Sequence, residues 1–325
     1  MFGPRRSLGS MRKLHSEKNK ELRELVRTLD YDGYLFGLFL PLETRPSYFA
    51  IVRCLRKSYL YIRTRGLQRA LNAEIATIKD SAHSNQITGK IRMQWWREHI
   101  YTMYERSASG GVERPVQSTL LLQELDQAVH KHKLTRRWFE RLLDARDQDI
   151  DRDEVQTLHE LETYAYQTAS SLLYLTLECL GVFDDTADQV AGYAGVAIGL
   201  ATLLRGTLYH SSRQESYLPI DLMSKHNVVA ENLLAAVEDP KEGEKVAPVV
   251  FEVACRAMEH LHKARSLRKK LPNKSRRAFL PLVSSSLYLK KLEAANFNAF
   301  APELQQQNMF QLHLEVLKHF FLHKY

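Results

Sequence analysis

The sequence predicts an all-α fold. Two observations carry this. Apolar residues recur at three- and four-residue spacing along most of the 325 residues. Strand-like alternation between turn signals is missing. Turn-rich stretches at Ser107–Pro115 and Glu238–Lys245 separate the periodic ones. The reading is a single helical domain over residues 17–325, of about ten helices.

The elements follow in order. Ser16 is a polar cap for a helix with Leu22, Leu25, Val26 and Leu29 at helical spacing. "SYFAIVR" and "ALNAEIATIKD" would form one amphipathic helix were residues 54–69 removed. That intervening stretch holds Gly66 and five cations without an acid. It reads as an insertion, either a lineage-specific loop or a translated intron, with a genuine basic helix as the alternative. The next helix, Thr88–Arg106, places Ile91, Trp95, Ile100 and Tyr104 broadly on one side, and its neighbouring Trp95 and Trp96 point in different directions. Trp138, Phe139, Leu142 and Leu143 mark a helix over 135–150. A long helix then runs from Thr157 to a stop at Gly181. Further helices fall near 187–210, 246–270, 275–291 and 304–323. No apolar run reaches the roughly 18–20 residues that span a bilayer.

The formal charge of +8 is concentrated at two places. Residues 1–16 carry Arg5, Arg6, Arg12 and Lys13 without an acid, the composition of a mitochondrial presequence or of a basic tail. Residues 54–69 carry five more. The rest is about neutral, which argues against nucleic acid as a partner. Cys54, Cys179 and Cys255 are widely spaced and suggest no disulfide framework. Cys179 sits in an apolar helix and reads as core rather than nucleophile.

Candidate metal ligands are few. A helix holds Mg²⁺ through carboxylates at i and i+4. Glu74 has Thr77 and Ile78 at those distances, Asp80 points away from it, and Gly206 and His210 stand where a second pair would sit. No metal site is expected. The acidic run Asp144–Glu154 lacks the glycine and glutamate of a calcium loop, with Arg152 and Leu158 in their places, and reads as a solvated helix end. His130/His132 and His260/His262 diverge by about 200° on a helix and read as surface pairs. The helix Leu134–Leu143 sets Arg136, Arg137 and Arg141 beside Trp138, Phe139 and Leu142. That suits either a membrane or partner surface or a helix with one buried face.

Four blocks carry a resemblance. They are "ALNAEIATIKD" (Ala70–Asp80), "IRMQWWREHI" (Ile91–Ile100), "ELETYAYQTASSLLYLTLECLG" (Glu160–Gly181) and "LLRGTLYHSSRQESYLPIDL" (Leu203–Leu222). In this order they resemble the squalene/phytoene synthase family, and within it the complex I assembly factor 6 branch, over roughly residues 20–325. The resemblance implies an isoprenoid-synthase-like helical bundle around a central cavity. Active members carry two aspartate-rich motifs. Their positions fall here at Ala73, Glu74 and Thr77, and at Gly206 and His210, whereas Arg205, Tyr217, Leu218 and Pro219 keep the pattern.

A departing diphosphate needs its charge neutralised, so the resemblance implies a pseudoenzyme without cofactor. It implies a mitochondrial protein on the matrix side of the inner membrane, acting early in complex I assembly. Complex I subunits or other assembly factors are the expected partners. Two alternatives stand beside it. One is a prenyl transferase using Glu74, Asp80 and His210. The other is a module whose cavity binds a lipid or apolar ligand. Within that cavity Glu74 and Arg205 are expected to pair and Arg97 to add a polar group. Tyr217 and Pro219 are expected to shape a turn.

Overall fold

A computed structural model describes residues 31–51, 75–76, 78–79, 86–109, 120–305 and 309–322, and no strand occurs among them. The chain opens with α1 (Tyr31–Gly37) and α2 (Arg45–Ile51). Then come α3 (Gln86–Ser109), α4 (Leu120–His132) and α5 (Arg136–Asp151). The long helix expected after Thr157 is α6 (Leu158–Ala165), one π-helical turn (Tyr166–Ser170) and α7 (Ser171–Cys179). α8 (Asp185–Arg205) breaks at Gly206 into the short α9 (Thr207–Ser211). The remainder is α10 (Ile220–Lys225), α11 (Ala230–Glu238), α12 (Ala247–Ser266), α13 (Pro281–Ala294), α14 (Pro302–Gln305) and α15 (Met309–Phe321). The expected basic tail and the stretch 54–69 lie outside the described residues.

α8 is the centre of the bundle. It packs against α6, the π-turn, α7, α12 and α13. Every residue from Ala194 to Ala201 is buried, a run of more than two turns that covers all sides of it, as expected of a helix apolar all round. Its length and composition alone would also allow it to cross a membrane, yet about two thirds of its apolar stretch is buried inside the fold. No apolar run of bilayer length announces it, because Asp185, Asp188 and Gln189 occupy its first turns and Tyr193 and Thr202 interrupt the rest. Asp184 starts the helix by accepting the Ala187 N–H at 2.8 Å.

α3 corrects the expected face. Met93, Trp96, Ile100 and Met103 are buried, while Ile91 and Trp95 are exposed. The helix carries apolar stripes on two sides, so spacing alone does not select one. The two tryptophans do diverge: Trp96 is core, and Trp95 lies against the His99 ring at 3.9 Å.

Gly181 ends α7 at φ +65°, with its Cβ position open. Gly181→Ala is therefore expected to cost about 1 kcal/mol through backbone strain alone. An unchanged urea midpoint would contradict this.

Candidate functional site

The site begins where α8 ends. The Gly206 N–H bonds back to Thr202 and Leu203, and its carbonyl accepts the His210 N–H at 2.9 Å, so the chain turns without losing its backbone bonds. A Cβ on Gly206 would stand 3.0 Å from both Cδ2 and Nε2 of His210. The imidazole thus occupies space that a side chain at position 206 would need. The same ring meets Tyr217 edge-on at 4.7 Å and lies 3.7 Å from the Glu215 carboxylate. Arg205 lies 5.8 Å from the centre of the Tyr288 ring. Its expected partner Glu74, together with Thr77 and Asp80, lies outside the described residues. Beside His210 and Tyr217, described side chains leave a space of about 10 Å³, room for about one water.

A second group of residues, not foreseen as a site, adjoins this one. Asp149 on the last turn of α5 is buried. Its carboxylate accepts the Tyr217 hydroxyl at 2.7 Å and the Tyr164 hydroxyl at 3.1 Å, and pairs with Lys79 at 3.3 Å. Arg146 donates to the Tyr164 hydroxyl at 2.6 Å. Lys79 also donates to the Arg152 carbonyl and lies over the Tyr217 ring at 5.1 Å. Burial raises both phenol pKa values well above the ordinary range, and the Asp149 carboxylate adds to this. Both phenols therefore stay protonated donors at neutral pH. The acidic run is not simply a solvated helix end. Asp144, Asp147 and Asp151 face Arg97 and Lys90 of α3, while Asp149 turns inward. Tyr217 likewise does more than shape a turn, because it ties the exit after α9 to α5.

The arrangement is a clamp. It joins α5, α6, the Lys79 segment and the Tyr217 exit through one carboxylate already engaged by three donors. Such a carboxylate is poorly placed as a base or a metal ligand.

The family's chemistry implies magnesium. Mg²⁺ takes oxygen ligands, chiefly carboxylates. At the end of α8 stand Gly206, an imidazole packed over it, and the Glu215 carboxylate. Among the described residues no three His, Cys, Asp or Glu side chains gather to hold a metal ion. The second motif's positions do not fit the ion.

Other expected residues are placed elsewhere. Arg97 is not a cavity group. It bonds Asp144 and, at 3.1 Å, Asp147 at the partly exposed seam of α3 and α5. The Leu134–Leu143 helix turns its apolar side inward: Phe139 and Leu142 are buried, and Trp138 stacks on Tyr174 at 4.3 Å while donating to Glu178. Arg141 donates to Ser171 and lies over Trp138, Tyr166 and Tyr174. Arg136 pairs with Glu140, and Arg137 is exposed. Of the two readings of this helix, these contacts favour the one with a single buried face. His260 is not at the surface either; it meets Glu162 at 2.7 Å, mostly buried. Cys179 is core, its thiol pKa raised by burial.

Comparison with known proteins agrees with this geometry. A model of the squalene/phytoene synthase family matches residues 65–315. The chain is 39% identical over 285 residues to a Homo sapiens protein named NADH dehydrogenase (ubiquinone) complex I, assembly factor 6, covering 88% of this chain and 77% of that one. It is 23% identical over 211 residues to a presqualene diphosphate synthase of Rhodopseudomonas palustris, covering 64% and 70%. A crystal structure of squalene synthase HpnC from Alicyclobacillus acidocaldarius shares the fold, with a TM-score of 0.66 at 16% identity over 87% of this chain and 95% of that one. The chain belongs to the squalene/phytoene synthase family, within the branch of relatives named complex I assembly factor 6.

Proposed function

We propose that this protein is a non-catalytic assembly factor for mitochondrial respiratory complex I, acting at an early step on the matrix side of the inner membrane. The observation that carries the reading is the 39% identity over 88% of the chain to relatives that bear this name. The site supports the loss of synthase chemistry. The His210 ring packed against Gly206 leaves no room for an aspartate there without moving, and an imidazole replaces the second carboxylate. Among the described residues no carboxylates cluster to anchor a magnesium ion, and without one the charge of a departing diphosphate goes unbalanced. The partners are complex I subunits or fellow assembly factors, and the clamp on Asp149 keeps the scaffold rigid for them.

One observation favours the synthase reading: the partial match to a presqualene diphosphate synthase. A single experiment in two arms separates the readings. Mitochondria from cells lacking the protein are expected to hold little assembled complex I on native gels, with the other respiratory complexes retained. Purified protein given Mg²⁺ and a C15 or C20 diphosphate is expected to form no product above background. Normal complex I in the first arm sinks the assembly role, and turnover in the second restores the enzyme.

A further inference from the structure

The near-neutral body conceals one strongly cationic stretch. Between Glu259 and Glu293 the chain has ten lysines and arginines and no acid. The stretch leaves α12 through a 3-10 turn at Arg268–Lys270 and enters α13 through another at Ser275–Phe279. There Lys274, Arg276 and Arg277 border a groove of about 530 Å³, which His132 and His319 also line. Of the described lining side chains only Glu43 is acidic. Among the described residues no carboxylate pairs with Lys274, Arg276 or Arg277, and the Nε of Arg276 is buried without a hydrogen-bond partner. A cluster of like charges without internal partners is costly unless something outside supplies the anions.

The groove adjoins a second unexplained feature. Arg277 lies 5.3 Å from the centre of the Phe320 ring, and Phe320 meets Phe321 edge-on at 5.4 Å. Phe321 ends an apolar stripe along α15. That helix buries Leu312 and Val316 against Leu35, Phe36, Leu280 and Val283. On its opposite side it exposes Phe310 (73%), Leu314, Leu317 and Phe321 (72%), at i, i+4, i+7 and i+11. One apolar side suffices to hold α15 on the fold. A second one facing water beside a polar rim marks an interaction surface.

We propose that this face docks on an anionic phospholipid surface. The α15 stripe would enter the boundary between headgroups and acyl chains, and Lys274, Arg276 and Arg277 would meet lipid phosphates. Both halves of the face are then used, as in interfacial helices. A nucleic acid would engage the cations and leave the phenylalanines in water. A second copy related by a two-fold axis would bring two cationic stretches together. The face differs from the Arg136–Arg141 helix, whose apolar side is internal.

The inference rests on the proposed inner-membrane location for its setting alone. Vesicle binding by the purified chain and complex I levels in cells can fail separately.

The test is flotation of the full chain with phosphatidylcholine vesicles, pure or mixed equally with cardiolipin. Binding is expected with the mixture only. Lys274→Glu/Arg277→Glu and Phe310→Gln/Phe321→Gln alter exposed positions, so both should keep the thermal midpoint. Each is expected to weaken binding about tenfold or more, since each cation near such a surface contributes roughly a factor of five. Equal binding to pure phosphatidylcholine, or binding indifferent to either pair of substitutions, overturns the proposal. So does failure to float, including the case of a dimer in solution that the phenylalanine substitutions disperse, which would assign the stripe to a second copy.

Discussion

Asp149→Ala is expected to lower the unfolding free energy by about 3 kcal/mol, near the low end for breaking a buried ion pair from one side. The carboxylate is buried and shared by Lys79, Tyr164 and Tyr217. Its removal leaves two phenols and an ammonium without their shared acceptor. The low end applies because Lys79 is partly exposed and keeps the Arg152 carbonyl. Asp149→Asn retains an acceptor for one phenol and should cost clearly less. Urea unfolding with an unchanged slope gives the comparison. An alanine variant within about 1 kcal/mol of the parent would show that the clamp contributes no more than an ordinary surface contact.

How much of this was legible in the sequence differs from element to element. The helical class follows from periodicity, and Gly181 as a stop follows from the need for φ above zero at a helix end. The buried face of α5 was half legible. Phe139, Leu142 and Leu143 announce it, and Asp149 lies seven residues after Leu142 and four after Ala145, on the same stripe. An acid at core spacing was thus a readable signal, obscured by Asp144, Asp147 and Asp151 around it. α3 misleads for the opposite reason, since it offers two apolar stripes and only packing selects Met93, Trp96, Ile100 and Met103.

The loss of acids at 206 and 210 is plain in the sequence once the family is recognised. That the His210 ring lies close over Gly206 is not, because it depends on the turn between α8 and α9. The cationic stretch after Glu259 is hidden in the net charge, which averages it against acids elsewhere. Its neighbour, the outer stripe of α15, looks like ordinary core until Leu312 and Val316 are seen to fill that role. Contacts between distant segments, such as Asp149 with Tyr217 or His260 with Glu162, have no local signature at all.

Gly195→Ala is the other large effect expected, of about 3 kcal/mol or more, at the upper end for overpacking. A Cβ at this position would stand 2.5 Å from both the Cα and the N of Ser170 in the π-turn. Backbone atoms cannot rotate aside, so α8 must move from its neighbour. Gly199 faces Ala165 in the same way, with a Cβ there 2.5 Å from the alanine Cβ. Gly192 supplies the contrast. Its Cβ would meet the Tyr174 hydroxyl at 3.4 Å and Tyr166 at 3.5 Å, ordinary contacts. Gly192→Ala should therefore gain up to about 1 kcal/mol of helix propensity. If both substitutions shift the urea midpoint alike, the close approach at Ser170 does not govern stability. The consequence reaches the site, because α8 positions Gly206 and α6, just before the π-turn, positions Tyr164. In cells lacking the protein, Gly192→Ala should restore complex I as the parent does. Gly195→Ala should fail in proportion to its lost stability, since the contact at Ser170 holds the two halves of the site together.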